Sequence, residues 1–168
     1  MFFGFTTASG GNAASLNMLY TTLKFLHVLL TIIAVGFNMT FGLLLARAAK
    51  GGADGRELKY ALSTVKLMSA IANGCYLLVV LSGIAMVQVA GYSWSLKWIH
   101  GAAALFVVTF SLALFVMAPM MKRRMAILDA RGSADPEFVK LSKRSAMLGG
   151  LLSLMTLTII WLMVAKPA

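Results

Sequence analysis

Histidine occurs only twice in this chain of 168 residues, at His27 and His100. Each histidine ends the same five-residue pattern of leucine, lysine, aromatic, aliphatic and histidine, which begins at Leu23 and at Leu96. Both patterns open a long apolar segment. Because a polar ring is costly to bury in hydrocarbon without a partner, a histidine inside a membrane span indicates a functional site. Two histidines at equivalent positions predict a shared metal centre, and haem, which takes imidazoles as axial ligands, is the first candidate.

Lysine precedes each histidine by three residues, at Lys24 and Lys97. This spacing places each lysine on the same helix face as its histidine, one turn nearer the membrane surface. A haem held between two imidazoles could direct its propionates toward these two ammonium groups. The alternative is that each lysine only extends to the lipid headgroups, as lysines near helix ends commonly do. We therefore expect His27 and His100 to ligate the metal and Lys24 and Lys97 to contribute to cofactor binding.

The composition of the chain predicts that these residues are held by membrane-spanning helices. The chain is 60% hydrophobic and 12% charged, and its mean hydropathy of +0.87 is typical of a membrane protein. A membrane-spanning helix needs about 20 apolar residues. Four segments are long enough, at Leu19–Ala46, Ser63–Ala90, Leu96–Met121 and Met147–Val164. We expect an all-α protein in which residues 1–18 form an external tail and residues 19–168 form a four-helix transmembrane bundle.

The basic residues predict an orientation. Of the 15 lysines and arginines, all but Lys24, Lys97 and Lys166 fall in or beside the two predicted loops, 47–62 and 122–146. Since cytoplasmic loops carry the excess of positive charge, both termini are expected in the periplasm, with the chain spanning the bacterial inner membrane. The net charge of +10 then reflects topology, so no nucleic-acid partner is expected. The basic face is expected to attract membrane lipid.

A weak internal repeat predicts how the spans pair. Leu62-Ser63, before the second span, recurs as Leu141-Ser142 before the fourth, in addition to the repeated histidine pattern. We expect two tandem helical hairpins in parallel topology, related by an axis along the membrane normal.

Several other site types lack their usual residues. The five acidic residues all fall in predicted loops, so a proton-coupled or cation-coupled transporter would lack its relay groups. A closed zinc site needs four ligands, which two histidines cannot supply. Methionine offers an alternative haem ligand, since either Met86 or Met163 could replace one histidine. A copper site at the methionine cluster of the third span is less favoured because this cluster adjoins three basic residues. The cluster comprises Met117, Met120, Met121 and Met125.

The run from His27 to Gly36 resembles the first helix of small bacterial membrane proteins related to the copper-resistance D family. Their superfamily includes HemJ-type protoporphyrinogen oxidases and DUF2269 proteins, which typically carry a glycine nine residues after that histidine. Ser82-Gly83 is similar to their Thr/Ser-Gly pair, and Trp94 with Lys97 is similar to the residues that open their third helix. HemJ-type members are associated with haem b, so the resemblance implies haem binding.

We therefore expect a b-type cytochrome with one haem b per chain, ligated by His27 and His100 near the periplasmic side. Its redox partner would be a periplasmic protein or a quinone. One haem at one depth cannot carry electrons across the whole membrane, so we expect a subunit of a larger redox complex rather than an independent enzyme. Two alternatives remain open, a HemJ-like protoporphyrinogen oxidase and a cofactor-free structural subunit.

Overall fold

The computed structural model of the protein describes residues 10–49 and 56–167, and the regular structure in these residues is entirely helical. The helices are α1 (Gly10–Ala48), α2 (Arg56–Val89), α3 (Lys97–Leu112), a π-helical turn (Ala113–Met117), α4 (Ala118–Arg131) and α5 (Pro136–Ala165). The segment from α3 through α4 is continuous, so four helices are long and apolar enough to cross a membrane. This confirms the predicted all-α, four-span class.

The helices extend beyond the predicted spans. α1 begins at Gly10, so part of the predicted tail 1–18 is helical, and residues 1–9 lie outside the described residues. The second predicted loop is mostly helix, because α4 continues to Arg131 and is followed by Gly132, which has a φ of 82°. α5 then starts at Pro136, and the Asp135 carboxylate accepts hydrogen bonds from the N–H groups of Glu137 and Phe138. A glycine stop followed by an aspartate cap and a first-turn proline is a strong boundary signal.

Helix pairing agrees with two hairpins. α1 packs along α2, and α3 packs against α5, while α1 also touches α5 and α2 touches α4. No Cα atom of α1 lies within 8 Å of one in α3 among the described residues. α1 and α3, which carry the two histidines, therefore lie diagonally across the bundle.

The densest apolar packing lies at the basic end of the bundle, where α2, α4 and α5 meet. Its buried members are Leu58, Leu62, Ile127, Leu128 and Phe138. Elsewhere many large apolar side chains are exposed on the helix surfaces, as expected for spans that face lipid.

Pro119 lies inside the third span, and the helix continues past it to Arg131. The chain forms a π-helical turn immediately before the proline, in which the N–H of Ala118 donates to the carbonyl of Ala113. Because proline has no N–H and crowds the preceding turn, a local widening of the helix accommodates it without a break.

Candidate functional site

His27 lies half-buried in α1 and contacts α2 through two adjacent residues. Its Nδ1 atom is 3.0 Å from the hydroxyl oxygen of Ser82. A Cβ atom on Gly83 would lie only 3.2 Å from His27 Cε1 and 3.6 Å from Nδ1. Because Gly83 has no side chain, α2 can approach the imidazole ring closely. The structure thus brings together the histidine and the Ser82-Gly83 pair, which the sequence resemblance had singled out separately.

The hydrogen bonds of Ser82 define the tautomer of His27. The Ser82 hydroxyl lies 2.8 Å from the carbonyl oxygen of Leu78 and 3.0 Å from that of Val79, so its single proton points to its own helix. The hydroxyl oxygen then accepts a hydrogen bond from Nδ1–H of His27. In a neutral imidazole this leaves Nε2 unprotonated, with a free lone pair.

This arrangement is the one that metal-binding histidines usually have. A histidine that ligates a metal through one nitrogen almost always donates the N–H of the other to an oxygen, which fixes the ring orientation. Among the residues that the structure describes, no three His, Cys, Asp or Glu side chains lie together as a metal-binding group. Haem brings its own ring nitrogens and requires only axial ligands from the protein. The donor chemistry of His27 therefore fits a haem ligand.

A second polar contact joins α1 to α2 deeper in the bundle. Asn38, three turns after His27 on nearly the same face, donates a hydrogen bond to the hydroxyl of Tyr76. Between these contacts, Ala34 is fully buried. The Tyr76 ring meets Phe106 of α3 edge-on, with the ring centroids 6.1 Å apart. Tyr76 therefore links the first hairpin to the second. Its position within a span was the only signal for it in the sequence.

His100 differs from His27 in its burial and its contacts. Its side chain is exposed, whereas Ile99 and Ala102 on the same helix are buried. At about 100° per residue, His100 lies on the side of α3 away from the face that these two residues define. The paired ligation of one metal by His27 and His100 stays a prediction.

The predicted lysines, Lys24 and Lys97, are also exposed, and a third lysine makes the defined contacts at this end of the bundle. Lys166 Nζ is 3.3 Å from the hydroxyl of Tyr92 and lies 5.4 Å from the ring centroid of Trp98. The pKa of Tyr92 is lowered mainly by the hydrogen bond from Lys166, and the charge of Lys24 lowers this pKa further. Lys24 and Lys166 therefore place positive charge around Tyr92, at the end of the bundle where the two histidines lie.

The two methionine alternatives differ in placement. Met86 is half-buried and stands one turn beyond Ser82 on the same face of α2. Met163, on α5, is 38% exposed. Met86 is therefore the better placed of the two to replace a histidine ligand.

Comparison with known proteins places the chain in a family. Residues 21–167 match the family model described as "Predicted integral membrane protein (DUF2269)". No curated protein and no solved structure matches the chain. The matched region includes all the candidate ligands and the Ser82-Gly83 pair. The chain therefore belongs to the DUF2269 family of predicted integral membrane proteins.

Proposed function

We propose that this protein is a b-type haem-binding electron-transfer protein of the bacterial inner membrane, with Nε2 of His27 as an axial ligand. The observation that carries the proposal is the hydrogen-bond chain from His27 through Ser82 to the Leu78 carbonyl. These hydrogen bonds would hold the imidazole in the tautomer that a haem iron requires. Gly83 keeps the neighbouring backbone close without a side chain against the ring.

When bound, haem supplies one-electron oxidation and reduction. The residues of the chain would orient the ligand and set its basicity, since a hydrogen bond from Nδ1–H makes Nε2 a stronger donor. Lys24, Lys97 and Lys166 would supply positive charge for the propionates at the same end of the bundle. The apolar spans around the site would exclude water and so influence the potential.

We assign the second axial position to His100. Its exposed ring is not held in place by packing within the described residues, and binding would require it to turn toward α1. Met86 is the competing ligand, because it shares the α2 face of Ser82 while His100 lies on the outer side of α3. A His27/Met86 pair would give a higher potential than a bis-histidine pair, since methionine ligation raises the potential of haem.

The distribution of basic residues supports a periplasmic position for the histidine end of the bundle. The redox partner would then be a periplasmic protein or a membrane quinone. An exposed imidazole within a span is costly unless another group covers it. His100 therefore also favours a subunit that meets other subunits of a larger redox complex.

A HemJ-type protoporphyrinogen oxidase is the second candidate function. The observation that favours it is the contact of His27 with Ser82-Gly83, because both parts belong to the pattern shared with the superfamily of copper-resistance D and HemJ-type proteins. Complementation of a bacterial strain that lacks protoporphyrinogen oxidation would distinguish this enzyme from an electron carrier.

The test is haem quantification in detergent-purified protein from haem-replete cells, by the pyridine haemochrome method and a reduced-minus-oxidised spectrum. We expect about one haem b per chain from the single ligand pair. His27→Ala should lose the haem, and either His100→Ala or Met86→Leu should convert the low-spin spectrum to high-spin. Colourless wild-type protein would refute the proposal and favour a structural subunit, and full haem content in His27→Ala would refute the assigned ligand.

A further inference from the structure

A second polar cluster lies at the basic end of the bundle, between α4 and α5, and is centred on Arg124. This arginine is only 4% exposed. Its Nη1 atom donates to the hydroxyl of Ser145 at 2.9 Å and lies 3.4 Å from the sulfur of Met121. The guanidinium carbon is 5.5 Å from the centroid of the Phe138 ring. These partners are all neutral, so the positive charge is enclosed without being balanced by them.

The nearby carboxylates are engaged with other cations. Glu137 pairs with Arg123 and Arg131, and Asp129 pairs with Lys59. Within the described residues no carboxylate pairs with Arg124. A buried charge is costly to desolvate unless an opposite charge accompanies it. Among the described residues, therefore, no negative charge balances Arg124 in this cluster.

Two buried polar atoms in the cluster also lack hydrogen-bond partners among the described residues. These atoms are Nε of Arg124 and the hydroxyl oxygen of Ser142. Ser142 stands one turn before Ser145 on α5, and the Ser145 hydroxyl donates to its carbonyl oxygen at 3.0 Å. A water molecule could satisfy hydrogen bonds here but would not balance the charge. An oxyanion would do both, because it accepts hydrogen bonds from arginine and serine together.

We propose that Arg124, Ser142 and Ser145 form a binding site for a phosphate-class anion. The source is either an anionic lipid headgroup or free phosphate. Basic sites between membrane helices on the cytoplasmic side bind anionic headgroups, and this end of the bundle carries most of the basic residues. Met121 lies against the guanidinium, and its flexible side chain can move to admit the ligand.

The test measures the thermal stability of full-length protein in detergent, with added phosphatidylglycerol, phosphatidylcholine or inorganic phosphate. We expect phosphatidylglycerol to raise the Tm of the wild type by several degrees more than phosphatidylcholine does. Arg124→Gln should abolish this difference. Lys122→Gln should retain it, because it removes the same charge from an exposed neighbour. An equal stabilisation by inorganic phosphate, lost in Arg124→Gln, would support the same site with free phosphate as its source.

The proposal is overturned if phosphatidylglycerol and phosphate do not stabilise the wild type, or if Arg124→Gln responds as Lys122→Gln does. If Arg124→Gln does not fold, Ser142→Ala replaces it, with native mass spectrometry to count retained phosphatidylglycerol. Lower retention than in Lys122→Gln would support the site, and equal retention would overturn it.

Discussion

Replacing Ser82 by alanine removes the side-chain oxygen that orients the His27 ring. The hydroxyl is 3.0 Å from Nδ1 and is itself fixed by the carbonyls of Leu78 and Val79. Without it, the imidazole loses the hydrogen bond that selects its tautomer and its rotation. Loss of such a partner typically lowers metal affinity by about 10- to 100-fold, which corresponds to roughly 1.4 to 2.8 kcal/mol. The cost to folding should be smaller, since one hydrogen bond contributes about 1 kcal/mol.

The assay is titration of haem into apo-protein in detergent, followed by the Soret band, together with a redox titration of the loaded protein. Ser82→Thr keeps a hydroxyl and should bind haem within a few-fold of the wild type. Thr156→Ala is the matched control, because its hydroxyl bonds only the Leu152 carbonyl of its own helix at 2.8 Å. The midpoint potential of Ser82→Ala should rise, since the imidazole becomes a weaker donor. If Ser82→Ala binds haem as tightly as Thr156→Ala, Ser82 does not orient the ligand.

Three further changes test the surroundings of the site and the orientation of the chain. Gly83→Val should reduce haem content, because its Cβ would lie 3.2 Å from His27 Cε1. Gly74→Val on the same helix should not, because a Cβ atom there has no described atom within 4 Å; equal haem content of the two variants by pyridine haemochrome would contradict this. Asn38→Ala and Tyr76→Phe break the same hydrogen bond, so a double-mutant cycle of unfolding should give a coupling energy of about 0.6 kcal/mol, the average for membrane proteins, and strictly additive effects would show that the two side chains do not interact. In a Cys75→Ala background, Ser93→Cys should react with a membrane-impermeant maleimide on spheroplasts and Ser133→Cys should not; the reverse labelling would place the basic end outside.

Hydropathy predicted the four spans because each must present an apolar surface to lipid over its whole length. It missed the helix ends beside the basic turn, since those helices continue past the apolar residues until Gly132 and Asp135 stop and restart the chain. The partners of His27 and Asn38 depend on how α2 is rotated about its axis. Composition does not specify that rotation, because the lipid-facing and helix-facing sides of a span are both apolar. Only the family resemblance drew attention to Ser82-Gly83, and nothing singled out Tyr76 or Lys166.

The two histidines illustrate the limit of the internal repeat. The alignment that places Leu62-Ser63 on Leu141-Ser142 also places Ser82-Gly83 on Trp161-Leu162. The second hairpin therefore offers neither a small hydroxyl to accept from His100 nor a gap for its ring.

In the second hairpin the glycine and the large side chain lie on the opposite helices from those of the first hairpin. Leu162 Cδ1 would lie 3.7 Å from a Cβ atom on Gly101, so the small residue is on α3 and the large one is on α5. Two similar pentapeptides thus occupy different environments, and of the two histidines only His27, on α1, is oriented by a hydroxyl of the neighbouring helix. Replacing Trp161-Leu162 by serine and glycine should let His100 turn toward α5. Because this turn takes His100 away from α1, the low-spin spectrum of the haem-loaded protein should convert to high-spin; a low-spin spectrum like that of the wild type would mean that the Ser-Gly pair is not sufficient to orient His100.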